Sequence, residues 1–219
     1  MEVSGFSGNL RMTGADDTTP PPFRSKGSGT FRMGTYNIIT GQGGGILSAL
    51  RAMGKLGVDV GVLQETKMTK GIYPRRGFGY SVFCTDAPSR QCGGVALFWR
   101  DCDGCAVEEQ RRWGPNVLSF QLVTGRGRYY CIGAYRPPSE VDNTTAEDIN
   151  RAWDKCLKGS EPILMGDLNV NLARPQSKWD IAMAEQAAAM DVHDMTLGFR
   201  QRRRRWVRGR WSWRMRRRK

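Results

Sequence analysis

Apolar positions along this chain change their period in a regular order. Phe31 to Ile39 reads as a first strand. Ile46, Leu47, Leu50, Met53 and Leu56 then recur at intervals of three to four, which predicts a helix from Ile46 to Leu56 closed by Gly57. Val58 to Leu63 is a mainly apolar run of strand length, the kind buried on both faces. Strand, helix and strand in that order predict a crossover unit.

Short strands follow at Tyr80–Cys84, Gly94–Trp99, Ala106–Glu109, Val117–Val123 and Tyr129–Tyr135, separated by turn residues such as Gly125-Arg126-Gly127. A second helix is expected over Ala146–Leu157. Thr144 and Glu147 stand at capping-box spacing, and Ile149, Trp153, Cys156 and Leu157 point to the core. Pro162–Met165 predicts a buried strand, Trp179–Met190 a third helix, and Trp211–Met215 a last strand. The pattern implies an α/β domain, a four-layered sandwich of two packed mixed β-sheets flanked by helices. Its organisation reads as a flexible leader over 1–30, a catalytic-type domain over 31–199 and a basic segment over 200–219.

Charge sharpens that division. Net charge is +13, and twelve of the 34 basic side chains fall between Arg200 and Lys219, where no acid occurs. Residues 1–199 hold the other 22 against 21 acidic ones, so the body is nearly neutral and the end is a cationic block. Such a block attracts polyanions. Arg202, Arg203, Arg204, Arg205 and Trp206 interleave cations with an indole, a pattern suited to phosphates and exposed bases; the same run also fits a localisation signal. The leader lacks the apolar stretch of a secretory signal, and no apolar run nears the ~20 residues of a membrane helix. An intracellular location, the nucleus included, follows. Of six cysteines, Cys102 and Cys105 have half-zinc-site spacing, with Cys84 and Cys92 as an irregular second half; isolated thiols are the simpler expectation.

Four motifs carry the chemistry: Gly34-Thr35-Tyr36-Asn37, Leu63-Gln64-Glu65-Thr66, Ala134-Tyr135-Arg136-Pro137-Pro138 and Gly166-Asp167-Leu168-Asn169. Each follows an apolar run and presents oxygen-bearing side chains at a strand end. Glu65 and Asp167 offer the one or two carboxylates that Mg²⁺ accepts, with Mn²⁺ as an alternative. Asn37 and Asn169 add carbonyl oxygens or amide donors. Tyr135 has a proton for a phosphate oxygen, with Arg136 beside it. Taken singly, each position also fits a solvated loop or a turn.

These motifs, with Gly93-Gly94-Val95-Ala96, Asn171 and Trp211-Ser212-Trp213-Arg214, resemble the endonuclease/exonuclease/phosphatase superfamily. Within it they are most similar to the apurinic-endonuclease-like domain of non-LTR (LINE-type) retrotransposon polyproteins. The resemblance spans about residues 31 to 215. It implies a DNA-nicking domain that works beside a reverse transcriptase on the same polyprotein. It implies Glu65 and Asn37 at the metal, Tyr135 on the phosphate, and Asp167 and Asn169 positioning the water and the transition state. Family members close with an Asp-Tyr strand and a Ser-Asp-His motif, and neither is found in these 219 residues. His193 is the one histidine and reads as part of a structural turn.

The resemblance thus implies the metal side of the chemistry and not the acid–base side. The expectations are a domain lacking its last strands, with an unpaired sheet edge, and weak or absent nicking activity. Two other functions fit the residues: a non-catalytic module that binds DNA or RNA through the basic segment, and a phosphatase or phospholipid phosphodiesterase of the same superfamily.

Overall fold

The computed structural model describes residues 2–3, 32–69, 73–100, 105–156, 158–170, 175–189, 192–194 and 211–215. At 2–3, 182, 186–189, 192–194 and 211–215 only the backbone is described. The rest of the leader, Cys102, Leu157, Asn171 and Arg202 to Trp206 lie outside the described residues.

Strand β1 (Glu2–Val3) runs parallel to β2 (Arg32–Asn37). The polypeptide then forms helix α1 (Gly45–Lys55) and strand β3 (Val60–Gln64), parallel to β2 as the crossover unit requires. Gly57, with φ 67°, supplies the left-handed turn after the helix. β4 (Arg76–Gly77), β5 (Tyr80–Cys84) and β6 (Val95–Arg100) complete the first sheet, in the order β1-β2-β3-β6-β5-β4.

The second sheet begins with a meander of β7 (Cys105–Gly114), β8 (Val117–Thr124) and β9 (Gly127–Tyr135). Helix α2 (Thr144–Asp154) leads to β10 (Glu161–Asp167), parallel to β9. Helix α3 (Lys178–Ala189), β11 (Val192–Asp194) and β12 (Trp211–Met215) follow. The sheet order is β11-β12-β10-β9-β8-β7.

Three apolar layers bind this arrangement. Met33, Val60, Val62, Val95 and Leu97 of the first sheet meet Leu118, Phe120, Cys131, Ile163 and Met165 of the second. α1 packs Ile46, Leu50 and Met53 on the outer face of the first sheet, against Leu63, Val82 and Phe98. α2 and α3 lay Ile149, Ala152, Trp179 and Met183 on the second, against Tyr130, Ile132 and Leu164. The result is the expected four-layer sandwich. Each strand that is buried on both faces belongs to a sheet with helices on one side and its partner sheet on the other.

Three local expectations change. The capping box at α2 does not form: its N-cap is Asn143, which makes no side-chain cap bond, and Glu140 receives the Thr145 amide and hydroxyl instead. A carboxylate near the helix start satisfies one of the first-turn orphan amides. β7 is longer than its apolar residues indicated, because Glu108 to Arg112 continue the pairing across two register shifts. β12, the expected last strand, pairs antiparallel along β10, and β11 adds beyond it as the edge of the described sheet. His193 lies in that short strand, not in a turn. No described helix is long and apolar enough to cross a membrane.

Candidate active site

Strand alternation decides which side chains meet. On β2 the face of Met33 continues through Thr35 to Asn37, and on β10 the face of Ile163 and Met165 continues to Asp167. On β9, Tyr129 and Cys131 share their face with Tyr135, and on β3, Val60 and Val62 share theirs with Gln64. These faces form the core between the sheets. At the carboxyl ends of the strands apolar residues give way to polar ones, so the core opens into a polar rim. Gln64 marks the transition: it is fully buried and donates to the Thr35 hydroxyl at 2.6 Å.

The rim is joined by hydrogen bonds across the two sheets. The Asn37 Nδ2 amide donates to Glu65 Oε1 at 2.9 Å and to Asp167 Oδ2 at 3.2 Å. Its Oδ1 accepts from the Ile39 amide at 3.0 Å, which fixes the amide orientation. Of the two modes expected for Asn37, the amide donor is therefore the one adopted, and its carbonyl is turned away from the carboxylates. The Tyr135 hydroxyl donates to Glu65 Oε1 at 2.7 Å. Asp167 Oδ1 accepts the Asn169 amide at 3.2 Å. Among the described residues Lys67 is the cation set against the pair, with Nζ 3.7 Å from Glu65 Oε2. Burial pushes the Tyr135 phenol well above the ordinary tyrosine range. Its bond to Glu65 and the charges of Glu65 and Asp167 add to that shift. Tyr135 thus stays a neutral donor at physiological pH.

Backbone strain gathers at this rim. Among the described residues, non-glycine positive φ occurs at Ile39, Glu65, Lys67, Phe78, Glu109 and Asn169, and four of these six flank the site. A left-handed residue other than glycine costs ~1 kcal/mol or more. The Glu65 turn, with φ 55°, redirects the chain immediately after β3 and sets the carboxylate toward Tyr135 and Asn37. Gly93 and Gly94 hold that turn: their carbonyls accept the Lys67 and Thr66 amides, and a Cβ on Gly94 would stand 2.4 Å from the Thr66 hydroxyl. Asn116 links it to Tyr135, because its side-chain oxygen accepts the Gly94 amide at 3.0 Å and its carbonyl accepts the Tyr135 amide. Sequence reading missed Asn116. It sits in the β7–β8 turn, where an asparagine is commonplace, and only the three-dimensional register reveals its link.

Asn169 and Arg136 stand at the edge of the site rather than in its centre. Asn169 Nδ2 donates to the Arg136 carbonyl at 2.8 Å. The Arg136 guanidinium lies 4.3 Å from the Trp179 ring and donates to the Glu140 carbonyl at 2.8 Å. It ties the β9 end to α3. The Trp179 indole in turn donates to the Leu168 carbonyl.

Register puts His193 opposite Arg214, which pairs with Ile163; it is two strands out from β10 and four residues short of Asp167. Cys84 is buried, Cys92 exposed and Cys105 disulfide-bonded, so these cysteines do not assemble into a zinc site. Among the described residues no three His, Cys, Asp or Glu side chains cluster as a chelate. The donors here are two carboxylates with amides and a phenol, a hard-oxygen set.

No family model matches the sequence, and no curated protein matches it. Solved structures do. The endonuclease domain of TRAS1, a telomere-specific non-LTR retrotransposon, superposes with a TM-score of 0.62 at 16% identity, covering 84% of each chain. The chain carries the endonuclease/exonuclease/phosphatase fold. D. rerio TDP2 complexed with a single-strand DNA product gives 0.56 at 13% identity, over 83% of this chain and 82% of that one. The human Nocturnin catalytic domain with bound sulfate gives 0.52 at 10%, over 77% and 73%.

Proposed function

We propose that this chain hydrolyses phosphodiester bonds in DNA with Mg²⁺, as a nicking endonuclease of retrotransposon type. The observation that carries the reading is the approach of Glu65 and Asp167, from different sheets, to a single nitrogen of Asn37. Two carboxylates brought together by a neutral amide carry two negative charges that Lys67 alone only partly offsets, which draws a cation. The ligand atoms they offer are hard carboxylate oxygens, and two carboxylates are what Mg²⁺ takes when it keeps its waters. Glu65 and Asp167 would hold it. When bound, the metal polarises the phosphoryl group and stabilises the leaving oxygen.

The remaining residues act on substrate and water. Asn37 fixes both carboxylates without adding a charge that would repel phosphate. Tyr135 holds its proton, and a phosphate oxygen arriving beside Glu65 is placed to take the hydrogen bond that Glu65 now accepts. Asp167, oriented by the Asn169 amide, is the carboxylate suited to align an attacking water. The single histidine of these 219 residues lies too far along its strand to share that work.

The test is plasmid nicking with Mg²⁺ by the wild type, Glu65→Gln and Asp167→Asn. Each substitution is expected to remove nicking by about 10²-fold or more. Nicking that survives both contradicts the reading. A second reading, a binding module acting through residues 200–219, is favoured by the twelve cations and no acid in that block. Deleting the block should then abolish DNA retention and its steep salt dependence. Unchanged retention counts against it.

A further inference from the structure

Beside the carboxylates lies a cleft of about 450 Å³, a volume in the range of small-ligand sites. Ile46, Leu47, Met68 and Tyr73 give it an apolar floor and wall, while Lys67 and Arg90 stand among its other lining residues. Among the described residues no lining residue is acidic. Lys67 connects the cleft to the site, since its Nζ is 3.7 Å from Glu65. The walls are joined to one another: Gln42 Nε2 donates to the Arg90 carbonyl at 2.9 Å and to the Lys67 carbonyl at 3.4 Å. The Tyr73 hydroxyl accepts from Arg112 at 3.2 Å, which restrains the ring. The cleft is thus braced on three sides before any ligand arrives.

A ligand for it must offer a flat or apolar body and negative charge, and must be continuous with a phosphate at the carboxylates. We propose that the cleft seats one unstacked nucleotide of a single-stranded polynucleotide, adjacent to the phosphate under attack. The base lies against Tyr73 and Met68, and the flanking phosphate lies toward Lys67 and Arg90. A base held in a duplex is paired and stacked and enters only when flipped out, at the cost of that pairing and stacking, so the cleft favours single-stranded or locally unpaired substrate. This inference rests on the phosphodiesterase reading and adds the form of nucleic acid that the site takes.

The experiment is fluorescence anisotropy in EDTA, with a labelled oligothymidylate and a duplex of equal length as probes. Tyr73→Ala is expected to weaken the single-stranded probe on the order of tenfold, because stacking on an aromatic ring is lost. Tyr73→Phe, which keeps the ring, should restore it, and duplex affinity should change less than about twofold. Arg90→Ala should lower the salt dependence of single-strand binding by about one phosphate contact. Equal losses for both probes, no loss in Tyr73→Ala, or no binding of the oligothymidylate by the wild type would overturn the proposal. Since no metal is present and no cleavage is read, failure here leaves the nicking test independent.

Discussion

At the scale of the residue, the candidate site depends on where protons sit. Asn37 donates from one nitrogen to two carboxylates, and Tyr135 donates to one of the same oxygens. Tyr135→Phe keeps the ring in its packed place and removes only the hydrogen bond. We expect a fall in kcat of roughly 10²-fold, as when one oriented donor is lost from an anion site. KM should move little, a separation that steady-state kinetics on a short intact DNA substrate will read. Activity should also persist through pH 10 without a loss assignable to tyrosine ionisation, because burial and the neighbouring carboxylates hold the Tyr135 proton.

Much of this was legible in the sequence. Asn37, Tyr135 and Asp167 end apolar strands and Glu65 follows one, and strand parity carries them onto the inner face. Asn116 was not legible, nor was the structural use of Arg136. Both depend on long-range neighbours: Asn116 contacts Gly94 and Tyr135, and Arg136 stacks on Trp179. Nothing in their local patterns distinguishes them from ordinary turn residues.

At the scale of the element, the decisive feature is the close approach of β10 to β9 at their carboxyl ends. Gly166 has φ 146°, and a Cβ there would fall 1.8 Å from the Ala134 carbonyl oxygen. Gly166→Ala must therefore push the strands apart one residue before Asp167. We expect a loss of about 3 kcal/mol in urea denaturation, in the range of strained backbone replacements, or failure to fold. A loss below about 0.5 kcal/mol would show that the strands have room to part.

Element type was readable wherever period and length agreed, as in α1, β8, β9 and β10. Boundaries and caps were less so. α2 begins at Thr144 with help from Glu140, because a carboxylate brought back by the loop serves the first turn in place of the local pair. The reach of β7 was hidden because its charged residues face solvent at a sheet edge, where apolar alternation fades.

At the scale of the whole molecule, stability depends on protons that the core refuses to release. Burial raises the Cys84 and Cys131 thiols above their ordinary 9.0 and the Tyr80, Tyr130 and Tyr135 phenols above 10.0; Tyr80 is pushed up to about 12. In the unfolded chain these groups ionise near their ordinary values, while the folded chain keeps them neutral. Their contribution is therefore fully present below pH 9 and declines as pH rises through 9 to 12. We expect the urea midpoint to be steady between pH 7 and 8.5 and to fall steadily above 9. Tyr80→Phe should reduce that alkaline slope. A midpoint that stays level to pH 11 would contradict this picture. The segregation of charge into residues 200–219 belongs to the same scale: it shapes association with polyanions, and it leaves the near-neutral body to fold on its apolar layers.

The most direct test of the central idea, that the two sheets converge to hold one cation, is a titration with Mn²⁺ followed by water-proton relaxation. One bound ion should be found, displaced by Mg²⁺, with affinity reduced at least tenfold in both Glu65→Gln and Asp167→Asn while each variant remains folded. Equal Mn²⁺ affinity in the wild type and both variants would contradict the assignment of this rim as a metal centre.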